Sequence, residues 1–146
     1  VTIVPLEVIV RNISAGHFAQ NYGVEEGIVF EEPTIEFSYK NDDLGDPLIN
    51  SYHAKALKLA TQAEIDTIVR LAFQINEALK EFFLAAGITL VDFKLEFGRL
   101  EDGTIVLADE ISPDTCRLWD KETGENLGNV EGAYQEVMKR LTGSQP

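Results

Sequence analysis

Cysteine is almost missing from this chain. Cys116 is the only one in 146 residues, so no internal disulfide can brace the fold. A lone thiol fits a reducing, cytoplasmic setting. Cys116 is also a poor candidate nucleophile, because neither histidine, His17 nor His53, lies near it in sequence. These few residues form no cluster with zinc spacing, and each histidine reads as a surface or structural residue. Long apolar runs are missing as well. No stretch approaches the roughly 20 residues that cross a bilayer, and no signal-peptide pattern precedes the first strand, so no membrane role is expected. Basic residues are scarce: 12 Lys and Arg stand against 25 Asp and Glu, a net charge of −13. That balance excludes a broad basic surface for nucleic acid. It leaves small anionic substrates open, because a local Lys, Arg or metal inverts the field within one cleft. Internal repeats and low-complexity segments are absent too.

What remains is a sequence with 45% apolar residues, enough for one domain with a real core. It starts at Val1 rather than Met and runs straight into an apolar stretch. That start is expected of a fragment of a longer chain, or of one numbered from after an earlier segment. Leu6 to Val10 reads as a strand, followed by Arg11-Asn12 and a small-residue turn, Ser14-Ala15-Gly16. Ile28 to Phe30 and Thr34 to Tyr39 read as two short strands separated by Pro33. In the second, Ile35, Phe37 and Tyr39 share one face, and Glu36, Ser38 and Lys40 the other. Lys40 to Pro47, KNDDLGDP, carries turn chemistry. Thr61 and Glu64 form a T-x-x-E capping box for a long helix. Ile65, Ile68, Val69, Ala72, Ile75, Leu79, Phe82, Phe83 and Ala86 keep helical spacing along it, and Gly87 stops it. A second helix is expected from about Asn129 to Leu141, and the tail, residues 142–146, should fray.

The stretch ITLVDFKLEFG, Ile88 to Gly98, poses the functional question. Val91, Phe93, Leu95 and Phe97 are expected on one face of a strand, and Asp92, Lys94 and Glu96 on the other. Asp102-Gly103 marks a hairpin turn into TIVLADEIS. If these are the two central turn residues, Arg99 faces Val106 and Glu96 faces Asp109. Two opposed carboxylates repel, and a cation repays that cost. With phosphate oxygens and water completing an octahedron, the pair suits Mg²⁺. The same pattern also fits an ordinary amphipathic strand in which Lys94 pairs with Asp92 or Glu96. The next segment, Ile111 to Asp120, reads as an irregular site rim. Arg117 in it can fork onto a phosphate or carboxylate, or serve a structural ion pair, and Trp119 suits packing.

Four motifs taken together carry a resemblance. VPLEVIVRN (Val4 to Asn12), YKNDDLGDP (Tyr39 to Pro47), LVDFKLEFG (Leu90 to Gly98) and LADEISPDTCRLWDKETGE (Leu107 to Glu125) are similar, in order, to the SAICAR synthetase family. The resemblance spans residues 1–141. It implies an α+β lobe, with a mostly antiparallel sheet and two main helices, from a two-lobed fold related to ATP-grasp and kinase-like architectures. It implies ATP and Mg²⁺ as cofactors, and CAIR (a carboxylated aminoimidazole ribonucleotide) and L-aspartate as substrates, joined into SAICAR with release of ADP and phosphate. The implied metal ligands are Glu96 and Asp109, which also serve ATP. Lys94 would neutralise charge at the reacting centre, and Asp92 would orient it. Arg11 and Arg117 would grip the phosphate and carboxylate of the nucleotide substrate. Lys40, Asn41 and Asp46 would line its side of the cleft, and Ile3 and Val4 would offer backbone to the adenine. Oligomers are expected of the family.

The sequence departs from the family pattern at three places. The ATP phosphate loop of an N-terminal lobe lies outside these residues, so the chain is expected to lack turnover alone. His17 stands where the family has a phosphate-binding Ser. An arginine-containing segment expected after Leu127 is missing. A non-catalytic Mg²⁺–nucleotide or anion-binding module, and an assembly domain with an exposed apolar edge, are the rival readings.

Overall fold

The computed structural model describes residues 1–108, 115–125 and 127. Strand β1 (Thr2–Ile13) leads to helix α1 (Gly16–Tyr22) and strand β2 (Val29–Tyr39). A 3-10 turn (Asp42–Leu44), strand β3 (Leu48–Ile49) and helix α2 (Ser51–Ala56) follow. Helix α3 (Gln62–Leu84) then precedes β4 (Ile88–Arg99), β5 (Ile105–Leu107) and β6 (Cys116–Asp120). The strands form one sheet in the order β3-β2-β1-β4-β5, with β6 also paired to β4, and every pairing is antiparallel. The expected α+β class holds. The expected helix over 129–141 and the tail lie outside the described residues.

Alternation along the strands sends Val4, Leu6, Val8 and Val10 of β1, with Phe93, Leu95 and Phe97 of β4, into one buried cluster. Helix α3 covers it with Ile65, Ile68, Ala72 and Phe83. The capping box is present at the helix start: Thr61 Oγ1 accepts from Glu64 N at 3.2 Å, and Glu64 Oε1 accepts from Thr61 N at 2.9 Å. At the other end Gly87 takes a left-handed φ of 74° and turns the chain into β4. Filling this layer with apolar side chains leaves the opposite sheet face for polar ones.

Four local expectations are corrected. The two short strands around Pro33 are one strand, β2. Proline lacks an N–H, but it falls where the β1–β2 register shifts between Arg11 and Ile13, so the ladder loses nothing there. Residues 116–120 form strand β6 rather than irregular rim, paired to β4. Val91 does not share the face of Phe93. The β4–β6 register shifts between Leu90 and Asp92, and Val91 packs instead with Ile13, Ala15 and Trp119.

The fourth correction concerns the hairpin. Arg99 pairs with Ile105, not Val106. Gly103 N donates to Leu100 O at 2.9 Å and Leu100 N to Thr104 O at 2.9 Å, so the loop holds Glu101, Asp102 and Gly103. Gly103, at φ 88°, closes it as a bulge. An odd loop moves the register by one residue. Ala108 N therefore donates to Glu96 O at 2.9 Å, and the neighbour of Glu96 across this hairpin is Ala108. Asp109, expected in that place, lies outside the described residues.

Candidate functional site

The face of the sheet turned away from α3 carries three cross-strand rows. Ser38, Glu7 and Glu96 make the first; Glu36, Ile9 and Lys94 the second. Thr34, Arg11 and Asp92 make the third, which Arg117 extends from β6. A cleft of about 760 Å³ opens over these rows, walled by His17, residues 45–48 and residues 115–117.

The third row is an ion-pair chain. Arg11 is buried, and its Nη1 donates to Asp92 Oδ2 at 2.9 Å. Its Nε and Nη2 reach the two oxygens of Glu36 at 2.5 and 3.4 Å. Burial disfavours the Arg11 charge, yet hydrogen bonds and charge from Glu36, then Asp92, outweigh it and hold the guanidinium above its ordinary value. Arg117 Nη1 lies 3.8 Å from the same Asp92 oxygen. Burial pushes the Asp92 carboxyl up, with Arg117 and Arg11 pulling against it. Removing either partner of such a buried pair costs about 3–5 kcal/mol, because the other charge is left uncompensated.

Arg117 reaches this position across Gly16. A Cβ on Gly16 would lie 2.4 Å from Arg117 Nη1 and 2.7 Å from Nη2, and its φ is 54°. The left-handed φ favours glycine in its own right, and a Cβ there would also have to push the Arg117 guanidinium aside. Ser14, fully buried, ties down the loop that follows α1: its Oγ donates to Glu25 O at 2.6 Å and accepts from Ile28 N at 2.9 Å.

In the first row Glu7 stands directly opposite Glu96. Like charges so placed destabilise a sheet by about 0.2–1 kcal/mol unless each finds a cation. Both do: Lys94 Nζ lies 3.6 Å from Glu7 Oε1, and Lys40 Nζ pairs with Glu96 Oε1. Lys40 comes from the KNDD loop, which is closed on itself. Asp46 Oδ1 accepts from Asn41 N at 2.7 Å, and Asn41 Oδ1 accepts from Asp43 N at 3.0 Å. Ser38 Oγ donates to Asp46 O at 2.7 Å, which fastens the loop to the sheet. Glu96 presents hard carboxylate oxygens of the kind Mg²⁺ takes. Among the described residues no three acidic, His or Cys side chains gather into a metal cluster.

Arg11, His17, Asp46, Asp92, Lys94 and Arg117 all line this one cleft, whereas Lys40 and Glu96 pair with each other and are not among its lining residues. Asn41 and Asp46 spend hydrogen-bonding groups on their own loop. Ile3 pairs with Gly98, the β1–β4 ladder lapses after it until Glu7, and the Val4 side chain is fully buried in the core. Cys116 lines the cleft, but burial pushes its thiol up to about 11, so it is no ready nucleophile. Sequence reasoning missed Glu7 and Glu36. Their signal was alternation: Glu7, Ile9 and Arg11 on one strand and Thr34, Glu36 and Ser38 on the next share a face with period two.

Three rows of mixed charge over an open cleft, with guanidinium and ammonium groups converging, suit a small ligand bearing phosphate and carboxylate groups. The chain belongs to the SAICAR synthetase family, whose model matches residues 1–141. It is 58% identical to the phosphoribosylaminoimidazole-succinocarboxamide synthase of Clostridium botulinum, over 97% of this chain and 64% of that protein. The crystal structure of the Ehrlichia chaffeensis synthase superposes with a TM-score of 0.94 at 43% identity, covering 100% of this chain and 67% of that one. A SAICAR synthetase in complex with ADP superposes with a TM-score of 0.93 at 47% identity, covering 99% and 66%. The chain thus spans slightly less than two thirds of the length of the curated relative. Among the described residues no helix is long and apolar enough to cross a membrane.

Proposed function

We propose that this chain is the substrate-side lobe of an ATP-dependent carbon–nitrogen ligase that joins CAIR and L-aspartate into SAICAR. The γ-phosphoryl group of ATP passes to a carboxylate oxygen of CAIR, leaving ADP and an acyl phosphate. The aspartate amine then attacks the acyl carbon, a C–N bond forms, the C–O bond to phosphate breaks, and the amine gives up its proton. The chain's own side chains position and neutralise. Arg11 and Arg117 hold the phosphate and carboxylate of CAIR. Lys94, which pairs with Glu7 rather than with Asp92 or Glu96 as expected, offsets charge at the reacting carboxylate, and Asp92 orients Arg11 and Arg117 instead of Lys94. Lys40 closes the CAIR side from the loop shaped by Asn41 and Asp46, and His17 donates to the substrate phosphate. Glu96 and Asp109 would hold Mg²⁺, which neutralises the ATP phosphates when bound. Backbone near Ile3 and Val4 meets the adenine.

The observation that carries this reading is Asp92 set between Arg11 and Arg117 on the same face as Lys94. Isothermal titration with CAIR and with Mg-ATP tests it. CAIR should bind the unmodified chain and bind Arg117→Ala about tenfold more weakly or worse, with a similar loss in Arg11→Ala. Binding of Mg-ATP with no response to CAIR would replace this reading with a nucleotide-binding module. A sedimentation measurement on the same samples reports whether the chain assembles into the homo-oligomer expected of the family.

A further inference from the structure

Arg11 is offered to the cleft in a restrained form. A guanidinium has five N–H groups. Glu36 takes the Nε–H and one N–H of Nη2, and Asp92 takes one N–H of Nη1, so among the described residues two are left over. The restraint on the β2 side comes from Glu36 and not from Thr34, the residue directly opposite Arg11. Thr34 Oγ1 is buried and has no hydrogen-bond partner among the described residues. Glu36, opposite Ile9, reaches diagonally across the ladder instead, and its side chain is 16% exposed.

We propose that Glu36 is a positioning residue. It clamps the Nε edge of Arg11 so that the remaining N–H groups of Nη1 and Nη2 face the cleft as a ready fork for a phosphate or carboxylate. The clamp removes rotamer freedom before the ligand arrives, so less is lost on binding. The proposal rests on the reading of this cleft as a CAIR site, but its sign separates it from simple electrostatics. Glu36 carries a negative charge next to an anion site. If it only balanced charge, removing that charge would tighten anion binding. As a clamp, removing it weakens binding.

The test combines titration with nitrogen-resolved NMR of the Arg11 Nε–H. Glu36→Gln keeps the shape but offers one acceptor where the fork needs two. CAIR affinity should fall about tenfold. Arg11→Lys, which keeps the charge and loses the fork, should fall similarly, and the double variant should be no worse than either alone. Equal or tighter binding by Glu36→Gln would overturn the proposal. In the unmodified protein the Arg11 Nε–H should exchange slowly with water and lose that protection in Glu36→Gln. A rapidly exchanging Nε–H in the unmodified protein overturns the clamp whether or not the variant folds. If the unmodified chain ignores CAIR while the Nε–H is protected and Glu36→Gln releases it, the CAIR reading fails and the clamp stands.

Discussion

At the residue scale, glycine and cysteine show how position decides chemistry. Gly16 combines a left-handed φ with a guanidinium packed where a Cβ would stand. Gly16→Ala should lower stability by about 1–2 kcal/mol, from backbone strain and from the clash. Repeating the substitution in Arg117→Ala removes the clash and leaves the strain. A smaller loss there, read by urea denaturation, would show that Arg117 is what glycine accommodates; an identical loss would assign the whole effect to the backbone. Cys116 sits against the cleft, yet its thiol is pushed up to about 11. It should resist iodoacetamide near neutral pH in the native protein and react readily in urea. Native reactivity matching the unfolded rate would show an activated thiolate. The residue types at these positions are plain in the sequence. Which neighbour each meets is not, because Gly16 and Arg117 are brought together by the pairing of β6 with β4.

At the scale of elements, the start of α3 is the part most open to reading. A T-x-x-E pattern ahead of apolar residues at helical spacing specifies its own hydrogen bonds, and both are present. The same carboxylate has a second, non-local duty. Arg99, at the end of β4, donates from Nη2 to Glu64 Oε1 at 3.0 Å and to Leu59 O at 2.6 Å. The Arg99 hydrogen bond is the largest factor holding the Glu64 pKa down to about 2, against 4.5 when unperturbed. A depressed carboxylate stabilises the fold above its unfolded pKa, and that contribution is lost as pH falls through the folded one. The window here runs from about 4.5 down to about 2. Glu64→Gln should cost about 1–2 kcal/mol at pH 7, less than full linkage because water screens the pair. It should also flatten the acid loss of stability across that window. An unchanged slope in denaturant titrations at several pH values would remove Glu64 from the account. The hairpin was harder to read. Asp102-Gly103 is a good turn signal, but the loop takes three residues, and that single extra residue replaces Asp109 with Ala108 beside Glu96.

At the scale of the whole molecule, charge is distributed by row. A net charge of −13 does not prevent a cleft where Arg11, Lys94 and Arg117 converge, because the sheet sets each cation beside a carboxylate. The chain spans 64% of the length of a 58% identical synthase, and ATP chemistry needs groups that cover the phosphates. On the function proposed above, the 146-residue chain by itself should bind CAIR without releasing ADP when ATP and L-aspartate are supplied. A coupled ADP assay showing turnover near that of a full-length synthase would refute this.

The sequence by itself determined some local features: the capped helix α3, the polar alternation of Asp92, Lys94 and Glu96, and the KNDD loop. Those features depend on neighbours within a few residues, where periodicity and turn chemistry act. Only the tertiary structure decided that Glu7 stands opposite Glu96, that Glu36 grips Arg11, and that Val91 leaves the face of Phe93. Each depends on strand order and register between segments far apart in the chain. There a single bulge or an odd loop exchanges every partner while leaving the local pattern intact.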